Sequence, residues 1–61
     1  MILIRKEPYG TILEENKAYY VEIEEDEDSP LNCHIYLFDD DRYETIYYSS
    51  CEKMRKFWYG I

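Results

Sequence analysis

The groups in this chain with the greatest capacity for chemistry are its carboxylates, two thiols and one imidazole. Among 61 residues, 14 acidic side chains outnumber 7 basic ones, giving a net charge of -7. Glu22 and the unbroken run Glu24, Glu25, Asp26, Glu27 and Asp28 form the densest group. Asp39, Asp40 and Asp41 form a second, followed by Glu44. Clustered oxygens suit hard cations, but calcium loops alternate their ligands with spacers and need a glycine at the sharp turn. Neither acidic run contains one, so no metal site is assigned and no cofactor is implied.

His34 beside Cys33 could pair as base and nucleophile, or with Cys51 begin a zinc site. A structural zinc site takes four ligands, usually in close pairs, and three unspaced groups do not supply it. His34 is therefore read as a satisfied strand residue. Acid-base catalysis needs a pocket that separates two carboxyl pKa values, which a sheet-plus-helix unit of this size rarely encloses. The expectation is a protein that is not an enzyme.

What the carboxylates can do is recognise positive charge. Glu22 and Glu24 lie two apart on a strand pattern, so they point the same way about 6.6 Å apart, a spacing like that of neighbouring phosphates on one nucleic-acid strand. Tyr20, Tyr36 and Tyr48 can align beside Glu22, Glu24 and Glu44, and tyrosine offers a large contact area at low entropic cost. The expected partner-binding set is Tyr20, Glu22, Glu24, Glu25, Asp26, Glu27, Asp28, Tyr36, Asp39, Asp40, Asp41 and Glu44. The plainer alternative is that the acids only confer solubility and the tyrosines only fill a core.

These groups need a scaffold. A chain of this length forms one domain, residues 1–61, near the lower size limit for independent folding. Its 46% hydrophobic and 18% aromatic content nevertheless argues against disorder. Residues 18–25 alternate, with Tyr19, Val21 and Ile23 on one side and Tyr20, Glu22 and Glu24 on the other, which predicts a half-buried strand. Asp-Ser-Pro and Asn mark a loop after it. Residues 33–38 predict a strand covered on both faces. The sequence Asp39-Asp40-Asp41-Arg42 then predicts a hairpin turn into a strand over residues 43–48, of which either face could pack.

Residues 1–5 read as a short strand with Ile2 and Ile4 opposite Leu3 and Arg5. Pro8-Tyr9-Gly10 turns the chain, and Thr11-Ile12-Leu13 reads as a brief strand, or residues 11–17 as a short helix, with Asn16 suited to a left-handed conformation. At the C-terminus the period changes. Ser49-Ser50-Cys51-Glu52 fits a capping box opening a helix over residues 51–61, with Cys51, Met54, Phe57, Trp58 and Ile61 on its apolar stripe and Gly60 as its stop. The fold class is α+β: a small antiparallel sheet of three or four strands with one C-terminal helix on one face, or alternatively an SH3-like small β-barrel with a terminal helix.

The charge excludes ordinary phosphate-neutralising binding to nucleic acid and adsorption to anionic membranes. Between Glu7 and Glu52, Lys17 and Arg42 alone oppose all 14 carboxylates, so the partner is a basic protein surface. No apolar run is long enough to span a membrane, and Met-Ile-Leu-Ile before Arg5 is the wrong order and length for a secretory signal. A cytoplasmic location follows, with Cys33 and Cys51 reduced and read as small buried hydrophobes. The leading expectation is an acidic inhibitor, of the kind encoded by phages or mobile elements, that masks a nucleic-acid-binding site by mimicry. Two others stand beside it: an antitoxin or immunity-type protein against a basic toxin, and a homodimeric structural or regulatory subunit.

Overall fold

The computed structural model describes residues 1–28 and 31–61. The Ser-Pro of the expected loop after the acidic run lies outside them. Five strands, β1 (Ile2–Arg5), β2 (Ala18–Glu24), β3 (Leu31–Leu37), β4 (Arg42–Tyr48) and β5 (Trp58–Tyr59), form one antiparallel sheet in the order β4-β3-β2-β1-β5. One helix, α1 (Cys51–Arg55), joins β4 to β5.

β2 holds the sheet together because it serves two partners in succession. Its first residues, Ala18 to Tyr20, pair with β1, and Val21 to Glu24 pair with β3. Its alternation is the expected one: Tyr19 and Val21 are buried and Ile23 is partly buried, while Tyr20, Glu22 and Glu24 face outward. On β3, Leu31, Cys33, Ile35 and Leu37 point into the core. His34 and Tyr36 on its other face are partly covered and Asn32 is buried. β3 is thus central in the sheet, but its inner face alone meets the core: the outer face is only partly covered, and Phe38, expected on that face, lies beyond the strand and is exposed.

Sheet curvature brings the two edges together. The Trp58 indole N–H on β5 donates to the Tyr48 hydroxyl on β4 at 3.2 Å, and Trp58 meets Tyr19 edge-to-face at 6.3 Å. Leu3, Leu13, Val21, Cys33, Ile35 and Met54 fill the space between. Arg5 is also interior, at 3% exposure. Its Nε donates to the Glu7 carbonyl at 2.8 Å and its Nη1 to the Tyr48 hydroxyl at 3.3 Å. Its guanidinium lies over Trp58 at 4.9 Å, Phe57 at 5.3 Å and Tyr9 at 5.7 Å.

Several expectations need correction. The sheet has five strands, not three or four, and the helix covers five residues rather than residues 51–61. Lys56 ends the helix, and the chain then extends so that Tyr59 and Trp58 pair with Ile4 and Arg5. β1 would otherwise expose an unpaired edge beside three aromatic residues that suit a strand. The helix cap is Ser50, whose Oγ accepts from the Lys53 N–H at 3.2 Å. Glu52 therefore stands one position too early to complete a capping box. Cys51 is exposed, and only Cys33 is a buried thiol.

Thr11-Ile12-Leu13 forms neither strand nor helix. The β1–β2 connection folds back on itself through a bridge between Tyr9 and Leu13, which lowers Leu13 into the core as a plug. Asn16 does take the left-handed conformation, at φ 62°, and its N–H donates to the Arg5 carbonyl at 2.7 Å. Gly60 serves the fifth strand instead of stopping a helix. At φ 102° it passes so close to β1 that a Cβ there would lie 3.1 Å from Leu3 Cδ2.

Candidate binding face

The outer surface of β2, β3 and β4 collects much of the predicted site. Register places Glu22 beside His34 and Thr45, and Glu24 beside Asn32 and Tyr47. One step along, Tyr36 stands opposite Tyr43 with ring centroids 5.3 Å apart, and Tyr20 extends this patch on β2. Phe38 meets Tyr36 edge-to-face at 6.3 Å and remains 83% exposed. Aromatic and acidic groups thus occupy one continuous face.

Polar contacts fix the orientation of its members. The Tyr36 hydroxyl donates to Asp41 Oδ1 at 2.6 Å, a bond that raises the phenol's pKa by favouring its protonated form. Asp41 can turn back to accept it because its backbone is left-handed, at φ 50°. Partial desolvation raises the pKa of Tyr43, with the Glu22 charge adding to the effect. His34 Nδ1 and Thr45 Oγ1 share a hydrogen bond at 2.9 Å, while its Nε2 lies 4.0 Å from Glu24. Cys33, next in sequence, points into the core, so the imidazole and that thiol occupy opposite faces of β3.

The two acidic runs lie at opposite ends of β3, roughly 20 Å apart from six residue steps of a strand. At one end, Asp26 is committed to the turn: it accepts from the Asp28 N–H at 2.9 Å and from Asn32 Nδ2 at 3.1 Å. Glu25, Glu27 and Asp28 are exposed. At the other end, Asp39, Asp40 and Asp41 form the hairpin turn, with Asp40 3.7 Å from Arg42 Nε. A cleft of roughly 600 Å³ opens beside this turn against the β1–β2 connection. Ile12, Tyr20, Tyr36 and Phe38 supply its apolar and aromatic wall, and Lys17 and Arg42 its positive charge. Lys17 is itself paired with Glu14 at 3.1 Å, which raises its pKa.

Glu44, a member of the expected set, does not belong on this face, and neither does Tyr48, which was expected to align with Tyr20 and Tyr36. Tyr48 is buried on the inner side of β4, where its hydroxyl serves Trp58 and Arg5. Glu44 shares that side of the strand and pairs with Arg42 at 2.8 Å. Tyr43 and Tyr47 take their places outside, with Tyr47 68% exposed. A four-residue turn after Leu37 sets Tyr36 opposite Tyr43, so hairpin length was the signal that would have found them.

Among the described residues, no three side chains of His, Cys, Asp or Glu converge closely enough to hold a metal ion. No helix among them is long and apolar enough to cross a membrane. Comparison of the chain with protein-family models, curated proteins and solved structures yields no significant match.

Proposed function

We propose that this protein is a cytoplasmic, non-enzymatic binding module: an acidic inhibitor whose outer β2-β3-β4 face occupies a basic, nucleic-acid-binding site on another protein. The observation that carries the reading is the shared placement of Tyr20, Tyr36, Tyr43, Glu22 and Glu24 on one exposed face, with an acidic turn at each end of β3. Paired strands hold carboxylates at a fixed repeat, as a phosphate backbone does, and the neighbouring rings supply apolar contact that charge alone lacks. The scaffold is best read as an SH3-like small barrel. Support for that comes from the fifth strand returning to the first and from the contact between Trp58 and Tyr48 across the two sheet edges.

Competition tests the reading. The protein is immobilised, a partner is captured from the native cell, and labelled nucleic acid bound by that partner is titrated with the free protein. Displacement that weakens as salt rises is expected. A partner that keeps its nucleic acid while bound to the protein would overturn mimicry. A captured toxin with no nucleic-acid groove would instead establish the immunity-type reading.

A further inference from the structure

We propose that the free edge of β4 is a self-association site, at which a second copy of the chain adds its own β4 antiparallel to form a continuous ten-stranded sheet. This rests on the edge itself and is independent of the partner reading above. β4 pairs with β3 over seven consecutive residues, from Leu31 opposite Tyr48 to Leu37 opposite Arg42, without a bulge. It ends the sheet, and among the described residues no other strand pairs with it. Edge strands are ordinarily protected by shortness, lysine, proline, bulges or inward charges. β5, at the opposite edge, is only two residues long. β4 has neither proline nor lysine, its two inner-side charges, Arg42 and Glu44, are paired with each other, and its sequence RYETIYY is rich in strand-forming residues.

Electrostatics favours a second copy over a basic foreign strand. In a chain of net charge -7, β4 carries one positive and one negative group, and these neutralise each other through the 2.8 Å Arg42–Glu44 contact. The edge therefore offers no net attraction to a cationic strand and little local repulsion to itself. A two-fold axis at Thr45 engages all seven residues. It sets Tyr43 opposite the other copy's Tyr47 twice, and aromatic cross-strand pairs stabilise sheets. Continuing the same register brings the Asp39 to Asp41 turn of each copy toward the start of the other's α1, where Lys53 is exposed. The dimer so formed is isologous and closed, and its two outer tyrosine patches adjoin.

Sedimentation equilibrium of the full chain provides the test. The expected mass rises with concentration from 7.5 kDa toward twice that value. Association should strengthen with salt, because screening relieves repulsion between two anionic copies. Tyr47→Lys should weaken the dimer about tenfold with an unchanged circular dichroism spectrum, while Tyr59→Lys on β5 leaves it intact. Amide exchange in the unmodified protein gives a second readout: β4 amides should gain protection with concentration and β5 amides should not. A chain that stays monomeric into the millimolar range, or a dimer broken by Tyr59→Lys and not by Tyr47→Lys, would overturn the proposal.

Discussion

Arg5 is an interior charge without a carboxylate within 4.0 Å among the described residues, in a protein with a large acidic excess. Its guanidinium is accommodated by Trp58, Phe57 and Tyr9 and by two hydrogen bonds. Such a site depends on the planar, weakly hydrated character of guanidinium, which an ammonium does not share. Arg5→Lys should therefore cost on the order of 2 kcal/mol in urea unfolding. Arg5→Met, which removes the buried charge and keeps the volume, should cost less. The reverse order would show that charge, not shape, is what this cage requires.

Cys33 offers a pH-dependent counterpart. Burial pushes its thiol from an ordinary value of 9.0 up to about 11, whereas unfolding returns it to water. The folded state thus binds the proton more tightly. The associated stability is complete below about pH 9 and is lost as pH rises toward 11. By about pH 10 the loss should reach about 1 kcal/mol. Urea midpoints measured from about pH 8 to pH 10 should fall for the unmodified chain, and fall less for Cys33→Ala. Equal slopes would remove Cys33 as the cause.

At the scale of elements, β2 divides its labour between faces. Val21 is completely buried while Glu22 and Glu24 are exposed. Val21→Asp places an unpartnered carboxylate in the core and should destabilise by about 3 kcal/mol or more, enough to unfold a domain this small. The double change Glu22→Lys and Glu24→Lys should leave the circular dichroism spectrum intact and weaken partner binding at least about tenfold. If the double change unfolded the chain, the assignment of this outer face would fail.

β2, β3 and β4 were legible because period-two alternation and an acidic turn are local signals. β5 was not. The residues Met54, Phe57 and Trp58 satisfy helical spacing as well as they satisfy the core, and the first strand's need for a partner is not visible locally. The candidate face was half legible: alternation puts Tyr20, Glu22, Glu24 and Tyr36 on one side of two strands. The inner and outer faces of β4 both carry tyrosine, so alternation alone could not choose between Tyr43 and Tyr48. Arg5 was correctly grouped with Leu3, but nothing in its type announced burial.

The whole molecule is electrically lopsided. Lys53, Arg55 and Lys56 lie on or just after α1, and Lys6 joins them by donating to the Arg55 carbonyl at 2.9 Å. The acidic loop and turn lie at the two ends of β3. This asymmetry should orient the protein during approach to a cationic partner. Glu25→Lys with Glu27→Lys should accordingly slow association in stopped-flow measurements more than it speeds dissociation, and the difference should shrink as salt rises. An unchanged association rate would show that these exposed acids do not steer.

Trp58, the chain's one tryptophan, links the two outer strands through its side-chain hydrogen bond to Tyr48. The β3-β4 hairpin joins neighbours in sequence, but the β1-β5 ladder must unite opposite ends of the chain, and contacts of such long loop length tend to form late. Indole emission therefore reports docking of β5 against Tyr48, whereas amide circular dichroism reports the earlier meander. A lag between the two signals after dilution from denaturant would separate formation of the β2-β3-β4 meander from docking of β5 and Trp58, with no label added to the chain.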